Sequence, residues 1–141
     1  VTQVDFHFNL ADKLLYACRL ARKVYLAGQP LVVYCDDRAV LTRFDQQLWQ
    51  FSALDFIPHV MLDDPLAADT PVVLTATEGD TPHHSVLLNL GLETPLFFSR
   101  FERLLELVGV EEDERQAGRA RFKFYRERGY PMQNFDLTKA A

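Results

Sequence analysis

The 141-residue chain predicts a single α/β domain with a mainly parallel central sheet covered on both faces. Three observations lead there. The short continuous apolar runs Leu31-Val-Val-Tyr-Cys35 and Pro71-Val-Val-Leu-Thr75 suit strands buried on both sides. Segments of helical periodicity alternate with strands in the first half, as crossovers between parallel strands require. With 48% hydrophobic residues, the chain can bury one substantial core without metals or disulfides, and no second domain is expected.

Taken in order, residues 4–8 alternate apolar and polar and form a first strand. Asn9 or Asp12 then caps a helix running to Ala27, on which Leu14, Leu15, Cys18, Leu20, Ala21, Val24 and Tyr25 recur at helical spacing; Gly28 stops it. Residues 31–35 are the buried strand after Pro30, and Asp36-Asp37 close it and can open the next helix, residues 39–49. Residues 52–69 carry Pro58 and Pro65 without sustained periodicity, which predicts an irregular connection with a short strand at Phe56-Ile57. Residues 71–75 and 85–90 are strands separated by the Glu78-Gly79-Asp80 turn, and Pro95 restarts the chain into residues 96–101. Residues 103–108 fit helix or strand, and their length favours a last strand. A final helix spans residues 111–128, opened by four acidic residues and stopped by Gly129 and Pro131.

That helix gathers arginines and aromatic rings in a chain of net charge -5. On a 3.6-residue repeat, Arg115, Arg119, Phe122 and Arg126 share one stripe, while Ala117, Ala120 and Phe124 lie opposite and can face a core. A phenyl ring framed by guanidinium groups suits a ligand that is both apolar and anionic, such as an acidic peptide ending in an aromatic residue with a free carboxylate. The same stripe would also arise as a solvated basic face with Phe122 folded onto its neighbours.

Other chemistries find little support. With 15 Lys+Arg against 20 Asp+Glu, the chain has no broad attraction for a phosphate backbone. The turn after the first strand, Phe8-Asn-Leu-Ala-Asp12, has no nucleotide-binding glycine loop. Asp36, Asp37 and Asp45 could hold Mg²⁺ near a strand end, but carboxylates there more often cap the next helix. His7, His59 and the adjacent His83-His84 read as surface or satisfied histidines, and no nucleophile motif is present. Cys18 and Cys35 have no metal spacing and read as core residues in a reducing compartment. No apolar run is long enough to span a bilayer and residues 1–10 lack a signal-peptide pattern, so a cytoplasmic location is expected; Val1 in first place suggests a missing initiator Met.

The order of landmarks adds a resemblance. Phe44-Asp45-x-x-Leu48-Trp49-x-Phe51, Asp55-Phe56-Ile57-Pro58-His59, Val86-Leu-Leu-Asn-Leu90, Phe98-x-Arg100-Phe101 and Arg121-Phe-Lys-Phe-Tyr125-Arg-x-Arg128-Gly129-Tyr130 together resemble the chi subunit of bacterial DNA polymerase III across nearly the whole chain. The resemblance implies a Rossmann-like three-layer domain that has lost nucleotide binding, with no catalytic site of its own and no cofactor. It also implies two partners, a psi subunit that links chi to the clamp loader and the acidic C-terminal tail of single-stranded DNA-binding protein. Carried over by position, the tail would meet Arg115, Arg119 and Phe122, with Trp49 as a neighbouring apolar wall; Arg115 stands where a lysine is familiar and Phe122 where a tyrosine is. The psi contact would use Phe56, Ile57, Pro58 and His59. The rivals are a nucleotide- or Mg²⁺-dependent enzyme using the three aspartates, and a module binding single-stranded DNA directly through residues 119–128, with Phe122 and Tyr125 as stacking platforms.

Overall fold

The computed structural model describes residues 1–51 and 56–138. Its elements are β1 (Gln3–Leu10), α1 (Lys13–Leu26), β2 (Leu31–Tyr34), α2 (Arg38–Gln50), β3 (His59–Met61), β4 (Val72–Thr75), β5 (Val86–Asn89), β6 (Arg103–Gly109), α3 (Glu112–Glu127) and β7 (Met132–Asp136). The seven strands form one sheet in the order β3-β4-β2-β5-β6-β1-β7, with parallel pairing throughout. This is the Rossmann-like layering the sequence predicts.

The central strands β2, β4 and β5 are buried at every position, so both sheet faces must be covered. Leu31 and Val33 turn towards α1 and α2, whose Ala17, Cys18, Ala21, Leu41 and Phe44 complete that layer. Val32 and Tyr34 turn the other way, into a layer with Phe97, Phe98, Phe101 and the Tyr125 ring of α3. Each aliphatic side chain taken fully out of water contributes about 1.5 to 3 kcal/mol, so these two layers supply the main driving force for the fold.

Helix ends follow the local chemistry. Of the two candidate caps for α1, Asp12 accepts from the Leu15 amide at 3.1 Å. Asn9 instead takes a φ of 62° and donates through Nδ2 to Asp136 and Thr138, tying the end of β1 to the end of β7. Asp37 caps α2 through the Ala39 and Val40 amides. Both Gly28 and Gly129 adopt positive φ, and in each case the following amide reaches back to the last helical turn, Gln29 to Val24 and Tyr130 to Tyr125.

Three expectations change. The strand expected at Phe56-Ile57 begins later, at His59, because Pro58 offers no amide to a ladder and the His59↔Val72 register starts just after it; residues 52–55 of that connection, Asp55 included, lie outside the described residues. Residues 103–108 do form a strand but not the last one, and α3 is not the final element, since β7 adds to the free edge of β1. On α3, Ala120 is exposed, and the side turned inward carries Gly118, Arg121 and Tyr125 instead.

Candidate functional site

How α3 is held decides which of its residues are available. A Cβ on Gly118 would lie 2.8 Å from both methyl carbons of Val108, so only glycine lets the helix lie this close to β6. One turn further on, the Arg121 guanidinium is buried, and its Nε donates to Glu106 Oε1 at 3.0 Å while its two terminal nitrogens donate to the Leu92 and Leu107 carbonyls. The Tyr125 hydroxyl donates to Glu106 Oε2 at 2.6 Å, and Asn89 Nδ2 donates to Oε1 at 2.9 Å. Burial, with the Glu106 charge alongside, pushes the Tyr125 hydroxyl far above its usual range. Because Glu106 is fully buried, this pairing meets the requirement that an interior charge be opposed and hydrogen-bonded. Apolar periodicity misses it, since an arginine reads as surface.

With Arg121 and Tyr125 turned inward, the stripe Arg115, Arg119, Phe122 and Arg126 is turned outward. These four side chains line one hollow of about 740 Å³ between α3 and the edge of the sheet, together with Phe6, Phe8, Asn9, Val108, Gly118, Lys123 and Asn134. Its floor is apolar: Phe122 lies edge-on to Phe6 with ring centroids 5.4 Å apart. Its rim is cationic: Arg115, Arg119, Lys123 and Arg126 border it, and no carboxylate does among the described residues. The Arg126 guanidinium sits 5.7 Å from the Phe122 centroid. Arg119, 70% exposed, has among the described residues only a distant contact with Glu112 at 4.0 Å, and an exposed pair of this kind contributes at most about 1 kcal/mol. Arg115 has no ion pair among the described residues.

Trp49, expected as an apolar wall here, is not among the lining residues. It sits at the end of α2, across the sheet from α3, because the helical phase that buries Leu41, Phe44 and Leu48 leaves it at the surface. Its ring is 5.3 Å from Phe56 and 4.5 Å from His59, beside edge strand β3. Trp49 and Phe56 are 54% and 61% exposed, whereas Ile57 and His59 are buried. A partner at this edge would therefore meet Trp49, Phe56 and the Pro58 ring, not the whole expected segment. His59 holds the turn from inside, with Nδ1 2.7 Å from the Ile57 carbonyl oxygen and Nε2 3.1 Å from Asp45, the latter off a hydrogen-bonding line.

Residues 1–133 match the sequence profile of the DNA polymerase III chi subunit, HolC, family. The chain belongs to this family. It is 39% identical to the DNA polymerase III subunit chi of Pseudomonas aeruginosa, over 99% of both chains. The chi subunits of Haemophilus influenzae and Escherichia coli are each 25% identical, over 82% of this chain and 81% and 79% of theirs.

In this chi-family chain, Asp36 and Asp37 line one hollow beside α2, and Asp45 is not among the residues lining it. Asp37 is spent on the α2 cap, Asp45 lies beside His59, and no three His, Cys, Asp or Glu side chains gather into a metal-binding group among the described residues. Tyr125, proposed as a stacking platform for bases, is fully buried. No helix among the described residues is long and apolar enough to cross a membrane. Conversely, Phe6, Phe8, Lys123 and Asn134 line the hollow although neither the stripe nor the resemblance points to them. The alternation of β1 already puts Phe6 and Phe8 on one face, but only the pairing of β1 with β7 brings Asn134 beside them.

Proposed function

We propose that this chi-family chain is a non-catalytic accessory subunit of DNA polymerase III, working in the cytoplasm, that holds the acidic C-terminal tail of single-stranded DNA-binding protein in the hollow beside α3. The observation that carries the reading is the pairing of an aromatic floor with four cationic side chains and, among the described residues, no acidic one. The tail's last ring would lie on Phe6 and Phe122, and its terminal carboxylate and preceding acidic side chains would meet Arg115 and Arg119. Charge-assisted hydrogen bonds of this sort contribute about 1.5 to 3 kcal/mol each when well formed, enough for a micromolar complex.

The exposed rings of Trp49 and Phe56 form a separate docking surface, which we assign to the psi subunit and through it to the clamp loader. The two partners would then be held on opposite faces of the sheet at once, and the chain would tether the polymerase machinery to protein-coated single-stranded DNA.

Calorimetric titration with a short acidic peptide ending in phenylalanine tests the first contact. Binding should weaken about tenfold or more in Arg119→Ala and should fall with added salt, less steeply than a multi-phosphate contact would. No binding, or equally tight binding of a naked oligonucleotide at physiological salt, refutes the reading. For the second contact, Trp49→Ala with Phe56→Ala should abolish co-purification with psi and leave the peptide affinity unchanged.

A further inference from the structure

We infer that the tail-binding groove does not end at the α3 hollow but continues over the carboxyl edge of the sheet into a second hollow beside α1, where Arg19 meets acidic residues further upstream in the same peptide. The inference rests on the reading given under Proposed function and extends it. The second hollow, of about 540 Å³, shares two wall residues with the first, Asn9 and Arg115, so the two adjoin where β1 and β7 end. Its other walls include the apolar side chains Leu10, Leu15 and Val110.

Charge selects the occupant. Arg19 is exposed, and neither it nor Arg115 has an ion pair among the described residues, although the chain carries five more acidic than basic side chains. The carboxylate on this wall, Asp12, is already engaged with the Leu15 amide as the α1 cap. Two uncommitted guanidiniums flanking apolar side chains suit an acidic, partly apolar segment entered in extended form. At about 3.3 Å per residue, four extended residues span about 13 Å, so a peptide whose last residues fill the first hollow must be longer to enter the second. Asn9, held at positive φ by Asp136 and Thr138, forms the shared wall where the path changes direction.

The test uses two synthetic peptides on the intact chain. One is acetyl-Asp-Asp-Ala-Phe with a free carboxylate, and the other carries the same four residues preceded by six more that include three aspartates. The longer peptide should bind more tightly, and Arg19→Ala should remove about two- to fivefold of its affinity, the range of an exposed ion pair, without moving the shorter one. Arg38→Ala, on an exposed α2 position outside both hollows, should move neither. If the peptides bind equally, or if Arg19→Ala and Arg38→Ala weaken the longer one alike, the extension is wrong and the first hollow stands alone. If neither peptide binds, the extension falls together with the reading beneath it.

Discussion

Arg119 and Arg121 stand two positions apart on α3 and have opposite fates. Arg119 is 70% exposed, with one distant carboxylate near it; Arg121 is 2% exposed, with three acceptors for its guanidinium. A helix turns by about 100° per residue, so two positions carry a side chain from one face nearly to the other. The inner arginine positions the helix and the outer one is left for a partner. Arginine content alone says nothing about binding; what matters is whether the molecule has already supplied the counter-charge.

Removing the inner arginine should therefore have the largest effect. Arg121→Ala leaves the buried Glu106 carboxylate facing Tyr125 and Asn89 without its cation, a loss of about 3 to 5 kcal/mol. Urea denaturation should show a large fall in midpoint, and Arg121→Lys should not restore it, since a lysine head cannot reach three acceptors in a planar fork. A variant as stable as the parent would mean that the network contributes nothing net.

A buried group lacking such a network sharpens the comparison. His7 lies between Tyr16, whose hydroxyl is 2.5 Å from Nδ1, and Phe135, whose ring stacks on it at 4.8 Å, while its Nε2 has no hydrogen-bond partner among the described residues. Burial pushes its pKa down from 6.5 to about 4, against the opposing pull of Asp5. The unfolded chain thus takes up this proton first, so stability is complete above pH 6.5 and declines as the pH falls towards 4, by about 3 kcal/mol over the whole window. His7→Gln should flatten the pH dependence of urea midpoints between pH 7 and pH 5. An unchanged slope would assign the acid sensitivity elsewhere.

Much of this was legible in the sequence. Buried parallel strands announce themselves as apolar runs, and helix ends as Asp12, Asp37, Gly28 and Gly129, because burial and backbone geometry act locally. The stripe on α3 was legible for the same reason, since one helical turn fixes its spacing. What stayed hidden depends on distant partners. Met132-Gln-Asn-Phe-Asp136 has no strand pattern, because an edge strand exposed at most positions needs only one neighbour. The inward turn of Arg121 depends on Glu106, fifteen residues earlier and on another element. The resemblance places Trp49 beside the arginine stripe, but α2 and α3 lie across the sheet from one another, and only the topology reveals it.

Gly118→Ala comes next in size. Alanine raises helix propensity by about 1 kcal/mol, so an isolated helix would gain. Here the added methyl meets Val108 at 2.8 Å, and overpacking of this kind costs about 1 to 3 kcal/mol, so the net change should be a modest destabilisation. Because Gly118 and Val108 also line the hollow, a helix pushed away from β6 should weaken peptide binding in the same variant. A gain in melting temperature would show that the helix can slide without cost, and that its fit to β6 does not shape the hollow.

The smallest stability change is expected from the outer arginine, and there the comparison is most exposed to failure. Arg119→Ala removes a side chain that is mostly in water and weakly paired, so the urea midpoint should correspond to a change within about 0.5 kcal/mol. The peptide affinity should nevertheless fall, and that separation of stability from binding distinguishes a partner-facing cation from a structural one. If Arg119→Ala destabilised the chain as Arg121→Ala does, the two faces of α3 would not be dividing support from recognition. The cationic rim would then be part of the scaffold, and a partner's carboxylate would have to be sought at another surface.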